Sequence, residues 1–231
     1  MELDINVNKL VGAIKEGLTT TRLELRIRNT ITNNRAPMEK WDGVNDSVYN
    51  CFKNDENMTI IPLDRGLFKP IMILNTQTNN LYTIIRNDNF KRLMERKEIK
   101  KAHYIDAMLE CNCAIQSSPM QISMVAEMPD LFSERAKEQK SELNAKIKTM
   151  LNVDNISQYI TIVIGFDIFT LTDVVAIKCS SHLDVIEEES LSEFISPNYD
   201  DIEENTDVEY VQDSDLKNVI AVKPKTKRKM S

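Results

Sequence analysis

Apolar and polar positions alternate longest between Tyr159 and Ser180. Along YITIVIGFDIF, Ile160, Ile162, Ile164, Phe166 and Ile168 fall on one face of an extended chain, and Tyr159, Thr161, Val163, Gly165 and Asp167 on the other. Together with VVAIKCS this predicts a buried β-hairpin, its strands joined by a short connection at Thr170 to Asp173. Three earlier runs, MTIIPL, KPIMILN and NLYTIIR, also read as strands, separated by DRG and by TQTNN. In PIMILN both faces are apolar, Ile71 and Ile73 against Met72 and Leu74, which places that strand inside a sheet covered on both sides.

Helical spacing appears elsewhere. Leu3, Val7, Leu10, Val11, Ile14 and Leu18 form an amphipathic stripe. It is expected to break near Thr19 to Thr21 and resume as a helix through RLELRIRNTI. NNRAPMEKWDG, punctuated by Pro37 and Gly43, reads as a loop, followed by a short helix from Asp46 to Lys53 that buries Val48 and Phe52. Asp88 is the expected N-cap of a segment burying Phe90, Leu93, Met94, Ile105, Met108 and Leu109, with an exposed turn or a break at ERKEIKK. Phe132, Ala136, Leu143, Ile147 and Met150 mark another helix behind Asp130. SLSEFI reads as a short acidic helix. Five strands and these helices make an α+β domain over residues 1–196, with a mostly antiparallel sheet.

Charge changes the picture of the last quarter. The first 178 residues carry 23 acidic and 23 basic side chains, residues 179–216 carry 13 acids and no Lys or Arg, and the remainder carries six bases and no acid. Residues 197–231 are therefore expected to form a flexible tail, acidic and then basic. If the acidic part competes for a basic surface on the body, removing residues 199–231 raises binding to heparin or DNA at low salt. Four cysteines, two of them the closely spaced Cys111 and Cys113, suit a reducing compartment. The first residues do not read as a secretory signal, and no apolar run approaches a membrane span. A cytoplasmic location is expected.

Four groups of residues could carry chemistry. Arg86, Lys91, Arg92, Arg96, Lys97, Lys100 and Lys101 share sixteen residues with only three acids, a basic surface able to contact phosphates. Asp167 near the end of one strand and Lys178 on the next resemble a restriction-endonuclease-like arrangement, where clustered carboxylates hold a metal ion that activates water. Ala176 stands where the second acid belongs; Glu138 or Glu142 would have to supply a third carboxylate. Glu98 and Lys100 repeat the acid-x-Lys spacing, but on a helix they point about 200° apart. Cys111, Cys113, Cys179 and His182 are ligand types that zinc prefers, in the looser spacings C-x-C and C-x-x-H.

The sequence lacks a nucleophile elbow, a P-loop and a dinucleotide-binding glycine motif, and its two histidines, His103 and His182, leave little general-base chemistry. LDRG-x-x-x-PIMILN, LYTIIRNDNFKRL, HYIDAML and a hairpin followed by SLSEFI resemble a family of proteins of unknown function from low-GC Gram-positive bacteria and their mobile elements, over residues 5–196. That resemblance implies no catalytic or binding residue. The expectation is a non-enzymatic binding protein without a cofactor. Its first expected partner is another protein and its second nucleic acid; a degenerate metal-dependent nuclease using Asp167 and Lys178 is the alternative.

Overall fold

The computed structural model of the chain describes residues 1–28, 32, 34–64, 69–95, 103–112 and 131–196, with side chains from 138 onward in the last stretch. Its elements are α1 (Val7–Arg28), α2 (Ala36–Phe52), β1 (Met58–Pro62), β2 (Ile71–Asn75), β3 (Asn80–Arg86), α3 (Asn87–Met94), α4 (Tyr104–Leu109), α5 (Leu131–Leu151), β4 (Gln158–Asp167), β5 (Thr170–Cys179) and β6 (Val185–Ser190). Short 3-10 turns follow α4 and β6.

All six strands join one sheet in chain order. Neighbours run antiparallel except β3 and β4, which are parallel from Asn80↔Gln158 to Arg86↔Ile164. A parallel pair needs a crossover, and α3, α4 and α5 supply it. Strand alternation then divides the core. Ile71, Ile73, Tyr82, Ile84, Ile160, Ile162, Ile164, Val174 and Ala176 meet Leu10, Ile14 and Leu18 of α1 and Val44, Val48 and Phe52 of α2. Met72, Leu74, Leu81, Ile85, Tyr159, Val163 and Ile177 meet Phe90, Leu93, Ile105, Met108, Ile147 and Leu151 from the crossover helices. Both faces of β2 are covered, as its sequence requires, and the α+β architecture stands with one strand more than expected.

Several local expectations are corrected. No break interrupts α1 at Thr19 to Thr21. The segment read as a loop is the first half of α2: Pro37 sits in the first turn, where a missing N–H is harmless, and Gly43 faces α1 at a close crossing. The hairpin connection is Ile168–Phe169, because a register shift between Gly165 and Phe166 ends the regular alternation. Asp88 does not cap α3; it lies in the first turn, 3.0 Å from Arg86, which holds the cap position. The acidic stretch is not mainly helical. Glu187, Glu188 and Glu189 belong to edge strand β6, with Glu187 paired to Lys178 at 3.1 Å, and only Ser192–Phe194 forms a 3-10 turn. DRG, ERKEIKK beyond Glu95, the side chains of Phe132 and Ala136, and the charged segment 197–231 lie outside the described residues.

Side-chain amides finish what the backbone leaves open. Asn112 is buried between the ends of β4 and β5. Its Nδ2 donates to the carbonyls of Tyr159 and Cys179, both at 2.9 Å, and its Oδ1 accepts from the Tyr159 N–H at 2.8 Å. The β4–β5 ladder starts only at Thr161↔Ile177, so one side chain stands in for the missing rung. At the amino end of β3, the Asp4 carboxylate accepts hydrogen bonds from the hydroxyls of Thr78 and Tyr82 and from Asn80 Nδ2, tying the first residues to the sheet. Burial, with the Asp4 carboxylate second, pushes the Tyr82 hydroxyl pKa up.

Candidate functional site

The carboxyl ends of the parallel strands β3 and β4 lie side by side, and chemistry-bearing side chains from distant parts of the chain converge there. Arg86 ends β3, and its guanidinium carbon lies 4.8 Å from the centroid of the Phe166 ring near the end of β4. Lys40 of α2 reaches the same ring at 5.7 Å and stands closer, at 4.2 Å, over Phe169 in the β4–β5 turn. Trp41, the next residue of α2, meets Phe166 edge to face with centroids 6.3 Å apart. The site is thus two cations and three rings, all partly exposed. Cations over ring faces gain from the quadrupole, by roughly 0.5–1 kcal/mol where water still has access.

Electrostatics at this end are tight. Partial burial lowers the Lys40 ammonium pKa, the nearby Arg86 charge lowers it further, and Asp167 works in the opposite direction. Asp88 pairs with Arg86 at 3.0 Å through an exposed contact. Ile168 at the turn has φ 49° and is 50% exposed. A β-branched residue in the left-handed region costs on the order of 1 kcal/mol or more, so the turn beside the rings is strained.

Of the expected basic surface, Arg86 is in this cluster, and Lys91 and Arg92 are exposed on α3, which starts immediately after Arg86. Arg96, Lys97, Lys100 and Lys101 lie outside the described residues, as do Glu98 and Cys113. Asp167 and Lys178 are not brought together. Asp167 faces Thr170 at one end of the hairpin, whereas Lys178 lies at the other end of β5, roughly 25 Å away at the usual strand rise. Lys178 is buried and bound to Glu187, and Glu138 and Glu142 lie on α5, across the sheet from the face that holds Lys178. Cys179 is buried in the second core and His182 is exposed. Cys111 receives a weak hydrogen bond from Asn144 Nδ2 at 3.7 Å. Among the described residues no three His, Cys, Asp or Glu side chains could hold a metal ion.

The family described as a family of unknown function, DUF5986, matches residues 4–231. The chain belongs to DUF5986. No curated protein and no solved structure matches it. The DUF5986 match runs on through the charged segment after residue 196, beyond the span of the expected resemblance. No helix among the described residues is long and apolar enough to cross a membrane.

Sequence reasoning about this DUF5986 chain found Arg86 through its basic neighbourhood but missed Lys40, Trp41, Phe166 and Phe169 as a group. One signal was present: Trp41 is the only tryptophan in 231 residues, and it follows a lysine in a segment otherwise short of apolar side chains.

Proposed function

We propose that this protein acts by binding rather than catalysis, and that its contact surface is the carboxyl end of β3 and β4, presented to a partner that carries negative charge. The observation that carries the reading is the convergence of Lys40 and Arg86 on one partly exposed aromatic ring. Burial and the Arg86 charge both disfavour the Lys40 ammonium, Asp167 and the Arg86–Asp88 pair offset this in part, and an incoming anion would offset more of it. Lys91 and Arg92 are exposed on α3, which packs on the other face of the sheet, so the proposed surface is that of Lys40 and Arg86. A nuclease reading finds no comparable support, since Asp167 and Lys178 stand at opposite ends of the hairpin.

A cytoplasmic setting belongs to the same proposal, supported by the free thiols of Cys51 and Cys179. An origin in low-GC Gram-positive bacteria and their mobile elements accords with the richness in Asn, Ile and Lys.

The test is retention of the full chain on immobilised heparin with salt elution. Replacing Lys40 and Arg86 together with Ala is expected to move elution to clearly lower salt, because each lost ionic contact reduces the number of counterions released. Elution of the double variant at the parent's salt concentration would remove this surface from the function.

A further inference from the structure

A partner that is merely negative needs cations at the surface. It has no use for flat apolar rings among them, yet three partly exposed rings gather at the carboxyl end of β3 and β4, two of them, Trp41 and Phe166, also packed against the first core. Phe169 sits at the turn under the Lys40 ammonium, and Trp41 and Phe166 meet at a steep angle, 72° between their planes. The Arg86 guanidinium, its carbon 4.8 Å from the Phe166 centroid, adds a planar cationic group. Unpaired bases stack on aromatic side chains and on guanidinium planes, while their phosphates follow a positive groove; in a duplex the same base faces are already engaged.

Resting on the binding reading above, we infer that this end of the sheet takes single-stranded nucleic acid, with bases against Phe169 and Trp41 and phosphates along Lys40 and Arg86. Stacking is tolerant of sequence because every base has a π-face, so recognition here is of strandedness rather than of base order.

Trp41 is the only tryptophan in the chain, so its fluorescence reports on the site without a label. The full chain is titrated with an oligothymidylate of about 12 nucleotides, a duplex of the same length, heparin and polyglutamate, at low and moderate salt. The expected result is quenching of Trp41 by the single strand, at lower concentration than by the other three, with affinity falling as salt rises. Phe169→Leu removes the flat ring but keeps apolar bulk, and is expected to weaken oligothymidylate binding roughly tenfold; Phe169→Tyr keeps the ring and should bind like the parent. Heparin retention should be the same for both variants, and equal melting temperatures check their folding.

Duplex or polyglutamate binding as tight as the single strand overturns the inference. So does unchanged oligothymidylate binding in Phe169→Leu; in either case heparin retention by the parent leaves the anion-binding reading standing. A parent chain that binds neither oligothymidylate nor heparin at low salt overturns both.

Discussion

Gly12 and Gly17 lie on the same helix, and the structure assigns opposite signs to the same substitution at the two positions. A Cβ at Gly12 would have no heavy atom within 4 Å, while a Cβ at Gly17 would lie 2.4 Å from the Gly43 carbonyl oxygen and 2.6 Å from Val44 Cα in α2. Those atoms are backbone and cannot rotate away, so the two helices must separate by about 1 Å to reach ordinary contact distance. Thr21 Oγ1 donates to the Gly17 carbonyl at 2.8 Å, a bond made at this same crossing. Separation would also loosen Val44 and Val48 against the sheet. Overpacking of this kind costs about 1–3 kcal/mol, more when main chain must move, and the gain in helix propensity from Gly to Ala returns about 1 kcal/mol.

Gly17→Ala is therefore expected to lose roughly 2 kcal/mol and Gly12→Ala to gain about 0.5–1 kcal/mol, a spread near 3 kcal/mol within one helix. Urea unfolding followed by circular dichroism at 222 nm measures both, and Trp41 fluorescence, reporting from α2, checks that the transition is two-state. A Gly17→Ala variant as stable as the parent, or equal shifts at both positions, would refute the close crossing as the reason for glycine there.

Two further expectations follow from buried groups. Asn112→Leu deprives one N–H and two carbonyls of their partner in the closed end of the β4–β5 ladder; at about 1–3 kcal/mol for each buried orphan, the loss should exceed 3 kcal/mol, measured by the same urea titration, and a loss under 1 kcal/mol would show that the strands close without the amide. Burial pushes the Cys179 thiol up to about 11 from an ordinary value of 9.0, with Asp184 adding to the rise. The unfolded chain then releases this proton at lower pH than the folded chain, so the contribution is whole below about pH 9 and is lost as pH climbs to 11. Thermal melting at pH 8, 10 and 11 should show the decline, shallower in Cys179→Ala, and an equally steep decline in that variant would assign the pH dependence to other groups.

The sequence alone determined the elements whose apolar period is long or doubled. Alternation in 159–164 is legible as a strand because every second side chain is a large aliphatic, and Ile71 to Leu74 is legible as interior because both faces are apolar. The stripe from Leu10 to Leu18 likewise defines α1. Where the local signal and the tertiary role differ, sequence reading failed for identifiable reasons. Pro37 and Gly43 look like loop punctuation, yet the first occupies a helix turn that needs no N–H and the second permits the approach to Gly17. Glu187, Glu188 and Glu189 carry no strand pattern, and β6 exists because β5 offers it a ladder and Lys178 a counter-charge. Lys40, Arg86 and Phe166 are separated by 46 and 80 residues, and no local period relates them. Only the parallel pairing of β3 with β4, beneath α2, places two cations on one ring, since pairing in register is a long-range contact that the chain acquires when the whole sheet forms.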